Sequence, residues 1–370
     1  MIRPEKEYYI GIMSGTSMDG VDVVCASYRQ EKFVEVLGHH FVPYPARLKS
    51  ELLTLQHIQF NELHISQLLA QEITGLYAQA VQKLLDKIRL LPTDVCAIGC
   101  HGQTIRHRPD KHYSIQIANY ALLAELTRIR VVGDFRVTDL AAGGEGAPLV
   151  PLFHKELFTV TSHARVILNL GGIANITLLE PNRPVLGFDT GPGNMLLDAW
   201  CQEKFSYPFD KNGQYSARGT VIKKLLDKLL ATDFFQQPPP KSTGRDLFSL
   251  EWLKESVEHE MSAFDVATTL VQLTALTVAN SIKQWASSVK EVYVCGGGVY
   301  NPTLMEALKV CLTPCPVMSI KLLGVEPMHV EATAFSWLAM RKMHKKPGNA
   351  PSCTGARGDR ILGALWGPFH

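Results

Sequence analysis

Apolar residues along the 370-residue chain fall into short strand-like runs that alternate with longer helix-like patterns. Two runs, Tyr8–Met13 and Val21–Ala26, flank a small polar turn and predict a β-hairpin. A third strand is predicted over 33–44, and apolar residues at three- and four-residue steps predict helices over 46–56 and 61–89. Alternation of this kind is typical of an α/β fold.

The middle of the chain predicts further strands and a long loop. A strand over 94–99 runs into a glycine-rich turn at 99–104, and a strand, a helix and a strand follow over 113–133. Segment 134–151 mixes glycine, alanine and proline with charged residues, which predicts a loop. Such a loop either binds a ligand or connects two domains.

The pattern restarts at Arg165 with a strand, a glycine-rich turn, two strands and helices over 192–204 and 217–230. We therefore predict a duplicated, two-lobed α/β fold with the ligand in a central cleft between the lobes. The predicted N-terminal lobe is 1–140, rejoined by the C-terminal helix and tail; the C-terminal lobe is 141–340, and the tail is 341–370.

Composition and charge narrow the class of protein. Hydrophobic residues make up 46% of the chain and charged residues 19%, enough for a large core. The formal net charge of +2 offers no reason to expect a nucleic acid or an acidic membrane surface as a partner. No apolar run has the length of a signal peptide core or a membrane span, so we expect a soluble, cytoplasmic protein.

Eight cysteines are spread along the chain, several inside apolar strand-like runs. A zinc site would need closer pairs and a clear fourth ligand, so we expect free thiols.

Three glycine-rich turns each follow an apolar run: MSGTSMDG, NLGGIAN and CGGGVYN. The phosphate-loop pattern of a Walker motif is absent. In the first turn, Gly15 and Gly20 would take positive φ and approach an anion closely, and Asp19 and Asp22 would hold hydrated Mg²⁺. We interpret this turn as a phosphate-binding hairpin; the alternative is a tight turn without a ligand.

The best candidate for a general base is Asp189, at the end of an apolar strand and before a glycine-rich turn. The alternative is that Asp189 caps the following helix. Arg136 and Arg245 are candidates for substrate or phosphate contacts, or for surface ion pairs. His101 is a candidate for binding a sugar hydroxyl, or it makes a structural hydrogen bond. Glu331 begins a predicted helix, where an exposed acidic residue is ordinary.

In combination these motifs resemble the anhydro-N-acetylmuramic acid kinase family of the sugar kinase/actin/Hsp70 ATPase superfamily. The matching stretches span about residues 10–340: GIMSGTSMDGVDVV, GCHGQT, VGDFRVTDLAAGGEGAPLVP, LNLGGIANIT, GFDTGPGN, STGRDLFSL, CGGGVYNP and VEATAFSWLA. The resemblance implies that ATP and Mg²⁺ are used to convert 1,6-anhydro-N-acetylmuramic acid to N-acetylmuramic acid 6-phosphate in peptidoglycan recycling. It also implies a homodimer.

The resemblance also implies roles for single residues. Asp189 would be the general base, Asp19 would hold Mg²⁺ through water, and His101, Arg136 and Glu331 would lie near the amino sugar. The predicted nucleotide contacts are Gly15, Thr16, Ser17, Met18, Asp19, Gly20, Val21, Asp22, Gly171, Gly172, Gly296, Gly297, Gly298 and Asn301.

Two other functions stay open at this point. A conventional hexose or N-acetylhexosamine kinase would use Asp189 to deprotonate a sugar 6-hydroxyl. An actin- or Hsp70-like ATPase would act without any sugar.

Overall fold

A computed structural model describes residues 6–15, 17–244, 247–286 and 288–368. The chain forms two compact units, which we call unit 1 and unit 2. Unit 2 is His154–Met328, and unit 1 contains the chain before and after it. Residues 141–153 and 329–340, which fall within the predicted range of the C-terminal lobe, belong to unit 1.

The strands are, in chain order, β1 (Glu7–Ser14), β2 (Gly20–Arg29), β3 (Lys32–Pro43), β4 (Val95–Arg108), β5 (Tyr113–Ile117), β6 (Val131–Gly133), β7 (Ala164–Leu170), β8 (Ile173–Leu179), β9 (Leu186–Pro192), β10 (Val289–Cys295), β11 (Val317–Ser319) and β12 (Ala364–Trp366). The helices are α1 (Ala46–Leu55), α2 (Glu62–Ile88), α3 (Tyr120–Thr127), α4 (Val137–Ala141), α5 (Val150–Phe158), α6 (Met195–Phe205), α7 (Lys223–Leu230), α8 (Leu250–Lys254), α9 (Ala263–Trp285), α10 (Pro302–Leu312), α11 (Val330–Met343) and α12 (Pro351–Thr354).

Unit 1 is built on one mixed sheet with the strand order β12-β6-β4-β1-β2-β3, and β5 pairs with β4. Strands β1, β2 and β3 form an antiparallel meander, and β4 and β6 continue the sheet from β1 in parallel pairs. The last strand, β12, closes the edge at β6 in an antiparallel pair. The tail, predicted as 341–370, therefore contains a strand of this sheet.

Unit 2 is built on a sheet with the order β11-β10-β7-β8-β9. Here β7, β8 and β9 form the antiparallel meander, and β10 and β11 continue it from β7 in parallel pairs. It corresponds strand for strand to the order β6-β4-β1-β2-β3 in unit 1. The prediction of a duplicated α/β fold is confirmed by this topology.

Helix α11 packs directly against the β1–β4 pair because two strand residues there have no side chain. A Cβ at Gly11 would lie 1.7 Å from the Ala332 carbonyl oxygen, and one at Gly99 would lie 2.0 Å from that of Phe335. Tyr28 and Ser336 add a buried hydroxyl–hydroxyl hydrogen bond of 2.7 Å. This contact joins α11 to unit 1.

The other face of the unit 1 sheet carries the apolar core. Ile10 and Ile12 alternate with Gly11 along β1, so they point to the opposite face. They pack there in one buried cluster with Ile73 and Tyr77 of α2. In unit 2, the corresponding core joins the β7–β8 hairpin to α6, α7, α9 and α10.

Two local predictions are wrong. The strand predicted to end at Gly99 continues to Arg108, so residues 99–104 lie inside β4 and not in a turn. The reason is pairing, since β1 and β5 supply hydrogen-bond partners on both sides of this stretch. Segment 134–151 is also not a simple loop, because it contains α4 and the start of α5.

All eight cysteines are free thiols in the structure. No helix in the described part of the chain is long and apolar enough to cross a lipid bilayer.

Gly99→Ala should destabilise unit 1 by about 3 kcal/mol, because the new methyl group meets a backbone carbonyl that cannot move independently of α11. Urea unfolding measures the change. The matched control is Gly75→Ala, in α2, where a Cβ meets nothing within 4 Å. That variant should gain about 0.5–1 kcal/mol from helix propensity. Equal stability of the two variants would contradict the close packing of α11.

Candidate active-site residues in each unit

The turn between β1 and β2 is held by a buried hydroxyl network. Ser14 Oγ lies 2.9 Å from the Gly20 carbonyl oxygen and 2.5 Å from Gln103 Oε1, and it accepts a 3.0 Å hydrogen bond from the Tyr44 hydroxyl. Gln103 Nε2 donates to the Gly15 carbonyl oxygen at 3.2 Å. The Ser14 hydroxyl therefore makes its hydrogen bonds within the protein and fixes the shape of the turn.

The two glycines of this turn differ in what surrounds them. Neither Gly15 nor Gly20 has positive φ, which corrects the prediction; Met18 does, with φ 54°. A Cβ at Gly20 would lie 2.3 Å from the Val42 carbonyl oxygen, so packing against β3 requires that glycine. A Cβ at Gly15 would meet only Ser17 Oγ, at 3.8 Å. Packing inside the protein therefore does not explain the glycine at position 15.

The other residues predicted in this turn divide into core and surface. The side chains of Met18 and Val21 are fully buried in the unit 1 core, so only their backbone groups could contact a ligand. Ser17 and Asp19 are exposed. Thr16 lies outside the described residues.

The two aspartates of the turn already have partners. The Asp19 carboxylate forms an exposed ion pair of 2.5 Å with Lys49. Asp22 Oδ1 lies 2.7 Å from His39 Nε2, and the His39 ring packs 4.1 Å from the His329 ring, centroid to centroid. No cluster of three or more His, Cys, Asp or Glu side chains that could bind a metal occurs among the residues described.

The three predicted sugar-binding residues lie close together in unit 1. The Arg136 guanidinium donates to His101 Nε2 at 2.9 Å and to the Gly146 carbonyl oxygen at 2.7 Å. Because an arginine can only donate, His101 Nε2 accepts, and the ring carries its proton on Nδ1. Burial, and secondly the Arg136 charge, lower the pKa of His101 well below its usual value, so this ring is neutral.

Glu331 lies in the first turn of α11, near Asp22 and Arg136. Burial and the Asp22 carboxylate raise the pKa of Glu331, and the Arg136 charge opposes them. Burial lowers the pKa of Arg136 to about 10, while Glu331 and Asp139 act in the opposite direction. The close approach of α11 to the sheet places this glutamate beside the arginine, so the alternative of an ordinary exposed residue is wrong.

Three side-chain nitrogens in this region are buried and have no hydrogen-bond partner among the described residues: Arg136 Nε, His101 Nδ1 and His107 Nε2. His107 Nδ1 lies 3.0 Å from Ser114 Oγ, which itself accepts from Gln116 Nε2 at 2.7 Å. Burial and the Arg136 charge lower the pKa of His107 to about 4, so its ring is neutral. Unpaired buried donors are costly, and a polar ligand would satisfy them.

His107 was not among the predicted site residues, because the predicted strand ended at Gly99 and left position 107 without a structural context.

Segment 134–151 is fixed within unit 1 by the buried carboxylate of Asp139. Its oxygens accept from Gly146 N at 2.9 Å, Asn349 Nδ2 at 2.8 Å and Thr354 Oγ1 at 2.9 Å. The carboxylate therefore joins the glycine-rich stretch to the C-terminal tail. This network positions the Gly146 carbonyl group that binds Arg136, and the segment is not a loose connector.

In unit 2, a row of polar side chains crosses the sheet in register. Cys295 of β10 pairs with Asn169 of β7, Asn169 pairs with Asn175 of β8, and Asn175 pairs with Asp189 of β9. Residues that pair directly across strands project to the same face. The two asparagines were visible in the second glycine-rich turn but were not predicted as site residues, since only strand register places them beside Asp189.

Asp189 lies inside β9 and not at a strand end, and it does not cap a helix, because α6 begins at Met195. Its backbone N–H donates to the Lys241 carbonyl oxygen at 3.1 Å, and its Oδ2 accepts from the Thr243 backbone N–H at 2.9 Å. Arg245 and Asp246 lie outside the described residues, so the predicted contact of Arg245 stays untested.

The glycines of the unit 2 turns also divide into two groups. A Cβ at Gly298 would lie 2.5 Å from Leu170 Cβ, and one at Gly296 would lie 2.5 Å from Asn169 Oδ1, so packing requires both. A Cβ at Gly297 would meet nothing within 4 Å, and at Gly171 and Gly172 no atom lies closer than 3.5 Å. These last three positions resemble Gly15 in having room for a side chain.

Asn301 is the N-cap of α10, with Pro302 at the first helical position, as the sequence predicts. Its Oδ1 accepts from Thr303 N at 3.1 Å and Leu304 N at 3.2 Å, and its Nδ2 donates to Asp210 at 3.4 Å. The Asn301 side chain therefore caps α10 and binds Asp210, although it was predicted to contact the nucleotide.

Comparisons with known proteins agree over nearly the whole chain. The model of the anhydro-N-acetylmuramic acid kinase family matches residues 7–368. The anhydro-N-acetylmuramic acid kinase of Neisseria meningitidis serogroup C (strain 053442) is 50% identical over 361 residues, which cover 97% of this chain and 99% of that protein. The enzyme of the same name from Bordetella pertussis (strain Tohama I) is 51% identical over 367 residues, covering 97% and 95%.

A solved structure with a similar fold is the activator of the 2-hydroxyisocaproyl-CoA dehydratase from Clostridium difficile with bound ADPNP. It has a TM-score of 0.46 and 12% identity and covers 91% of this chain and 96% of that chain. This likeness is too remote to transfer any property from that protein. The family match and the relatives at half identity are sufficient by themselves: the chain belongs to the anhydro-N-acetylmuramic acid kinase family.

Proposed function

We propose that this protein is an ATP-dependent kinase that opens 1,6-anhydro-N-acetylmuramic acid with water and phosphorylates O6. The product is N-acetylmuramic acid 6-phosphate, and the pathway is peptidoglycan recycling. The observation that carries the proposal is family membership over residues 7–368 at about half identity to enzymes of that name. The arrangement of side chains in each unit supports the separate roles assigned below.

The glycines without a packing role are the proposed phosphate contacts. Gly15 in unit 1, and Gly171, Gly172 and Gly297 in unit 2, leave room that a Cβ would partly fill. Backbone N–H groups with no neighbouring side chain suit phosphate oxygens. The other predicted nucleotide residues would contribute through their backbone, except the exposed side chains of Ser17 and Asp19.

Asp19 is the proposed residue for Mg²⁺, held through water. Magnesium at a nucleotide needs only one or two protein carboxylates, since phosphates and waters fill its other positions. Asp19 fits this requirement because it is exposed, and its present partner is only a surface lysine, Lys49. When bound, Mg²⁺ would neutralise charge on the phosphates during transfer.

His101, Arg136 and Glu331 are the proposed sugar-binding residues. Arg136 supplies a positive charge and an Nε–H that has no hydrogen-bond partner among the described residues. Neutral His101 accepts a hydrogen bond from the guanidinium and holds it in place. The acidic amino sugar offers a carboxylate and an amide carbonyl group as acceptors. Glu331, whose pKa is raised, would donate to a sugar oxygen when protonated.

Asp189 is the proposed general base. It would take a proton from water as the water oxygen bonds to C1, while the C1–O6 bond breaks and O6 takes the γ-phosphoryl group of ATP. An ordinary glycosidase needs a second carboxylic acid to protonate the leaving oxygen. Here phosphoryl transfer to O6 replaces that proton, so one carboxylate is sufficient.

The cytoplasm is the proposed location, and a homodimer is the proposed assembly. A conventional hexose or N-acetylhexosamine kinase is the second candidate, because Asp189 could equally deprotonate a hydroxyl. An actin- or Hsp70-like ATPase would hydrolyse ATP without sugar.

Reaction in ¹⁸O-labelled water tests the function. With ATP and 1,6-anhydro-N-acetylmuramic acid, the product should be a 6-phosphate that carries ¹⁸O at C1, because water supplies that oxygen. Early quenching and mass spectrometry measure the label, and unlabelled product held in the same water for the same time corrects for exchange. ATP consumption that is independent of the anhydro sugar, or a 6-phosphate with an unlabelled C1, would contradict the proposal.

Asp189→Asn should lower kcat by roughly a thousandfold or more, since the amide cannot accept the proton. The Kd for ATP should stay within about twofold, because the side chain keeps its size and the Thr243 hydrogen bond. Steady-state kinetics and calorimetric titration with ATP measure the two quantities. Wild-type turnover in this variant would refute the base assignment.

Gly15→Ala should weaken ATP binding by roughly tenfold or more, while the free energy of unfolding changes by less than about 0.5 kcal/mol. The methyl group has room in the protein but would occupy the space assigned to phosphate. Gly20→Ala, in the same turn, should instead destabilise unit 1 by about 2 kcal/mol. Calorimetric titration and urea unfolding of both variants provide the comparison, and unchanged ATP affinity in Gly15→Ala would exclude phosphate from this position.

A further inference from the structure

Strand β9, which carries Asp189, is one of the two edge strands of the unit 2 sheet. Its outer side is covered by residues 233–244, which we call the cover segment. This segment begins with a short 3₁₀ turn at Asp233–Gln236 and continues without regular structure. A covered edge protects the backbone groups of the strand, and here it also brings a second part of the chain to Asp189.

The cover segment contacts β9 at two places. Gly191 of β9 has φ 142°, and a Cβ there would lie 2.6 Å from Phe235 Cε1, so the Phe235 ring packs on the bare backbone. The Phe235 ring is itself stacked on Phe248, with 5.5 Å between centroids. At the second place, the Lys241 carbonyl group and the Thr243 N–H bind the backbone and the carboxylate of Asp189.

Lys241 is the charged residue that holds this segment together. Its side chain is buried, with 7% of its surface exposed. The ammonium donates to the carbonyl oxygens of Phe234 and Phe235, at 3.0 and 3.5 Å. It also lies 4.7 Å from the centroid of the Phe234 ring. One side chain therefore ties the beginning of the cover segment to its end, where Asp189 is bound.

Burying the ammonium group of Lys241 costs desolvation free energy. Burial lowers the pKa of Lys241, and the Asp189 charge opposes that shift. The lysine gives the Phe234 and Phe235 carbonyl oxygens a donor, and its charge also interacts with the Asp189 carboxylate, which an apolar side chain could not do.

We propose that Lys241 is a positioning residue for the catalytic carboxylate of Asp189. It fixes the peptide groups of residues 241 and 243 that bind Asp189, and it places a positive charge near the carboxylate. The proposal rests on the function proposed above, in which Asp189 is the base. Lys241 itself touches neither substrate nor nucleotide in this role.

A positioning role has a kinetic signature that a purely structural one lacks. If Lys241 is lost, Asp189 keeps its backbone position in β9, but its carboxylate is no longer held at one angle. Substrate binding through other residues should persist, while the proton-transfer step slows. We therefore expect a loss in kcat with little change in KM.

The test compares Lys241→Met, which keeps the volume without the charge, with Lys241→Arg, which keeps a cation that can donate to both carbonyl groups. Lys241→Met should lower kcat by roughly tenfold or more, with both KM values within about twofold of wild type. Lys241→Arg should recover kcat to within about threefold of wild type. Thermal unfolding of each protein verifies the fold.

Lys254→Met is the matched control, since Lys254 lies in unit 2 on α8, pairs with Glu203 and is far more exposed. Its kinetics should equal those of wild type. Lys241→Gln serves as a second charge-free variant if Lys241→Met does not fold, because its amide can still donate to the Phe234 carbonyl group. The same loss of kcat is expected for it.

The outcomes separate this proposal from the proposed function. Wild-type kcat in a folded Lys241→Met or Lys241→Gln protein, beside an inactive Asp189→Asn protein, overturns the role of Lys241 alone. Full activity of Asp189→Asn overturns the base assignment and this proposal with it. A lowered melting temperature with unchanged kcat, or an Arg variant as slow as the Met variant, would show that Lys241 is only structural.

Discussion

The direct contact between α11 and the β1–β4 pair is the constraint on which unit 1 depends. Only glycine at positions 11 and 99 allows the helix backbone to reach the sheet. Because α11 comes from the end of the chain, this contact makes unit 1 from two distant segments and brings Glu331 to Asp22 and Arg136. A bulkier strand would keep the helix, and the glutamate with it, away from the arginine.

Unit 2 also positions a candidate carboxylate, but through different contacts. Its sheet has the strand order of the unit 1 sheet, but Asp189 lies in the meander itself, on the edge strand β9. Asn175 pairs with it from one side, and the cover segment binds it from the other. The Asn175 pair, the Thr243 N–H and the Lys241 cation therefore all lie close to Asp189.

Local sequence was a good guide to elements and a poor guide to contacts. Periodicity predicted α2 within one residue at each end, since its apolar face is continuous. It failed at 99–104, where glycines that usually mark a turn lie inside a paired strand. His101, Arg136 and Glu331 could be predicted together from the family resemblance, but His107 and Lys241 could not. Their surroundings come from strand pairing and from a segment some fifty residues beyond Asp189.

The surroundings of the two candidate carboxylates favour Asp189 over Glu331 as the base. A base must be ionised before the reaction. Burial and the neighbouring Asp22 carboxylate raise the pKa of Glu331, which favours its protonated, hydrogen-bond-donating form. Asp189 accepts a backbone N–H from Thr243, and the Lys241 ammonium is near enough for the two charges to interact. The Thr243 N–H that holds the Asp189 carboxylate suits the proposed role of base, and the raised pKa of Glu331 suits its proposed role as a hydrogen-bond donor to the sugar.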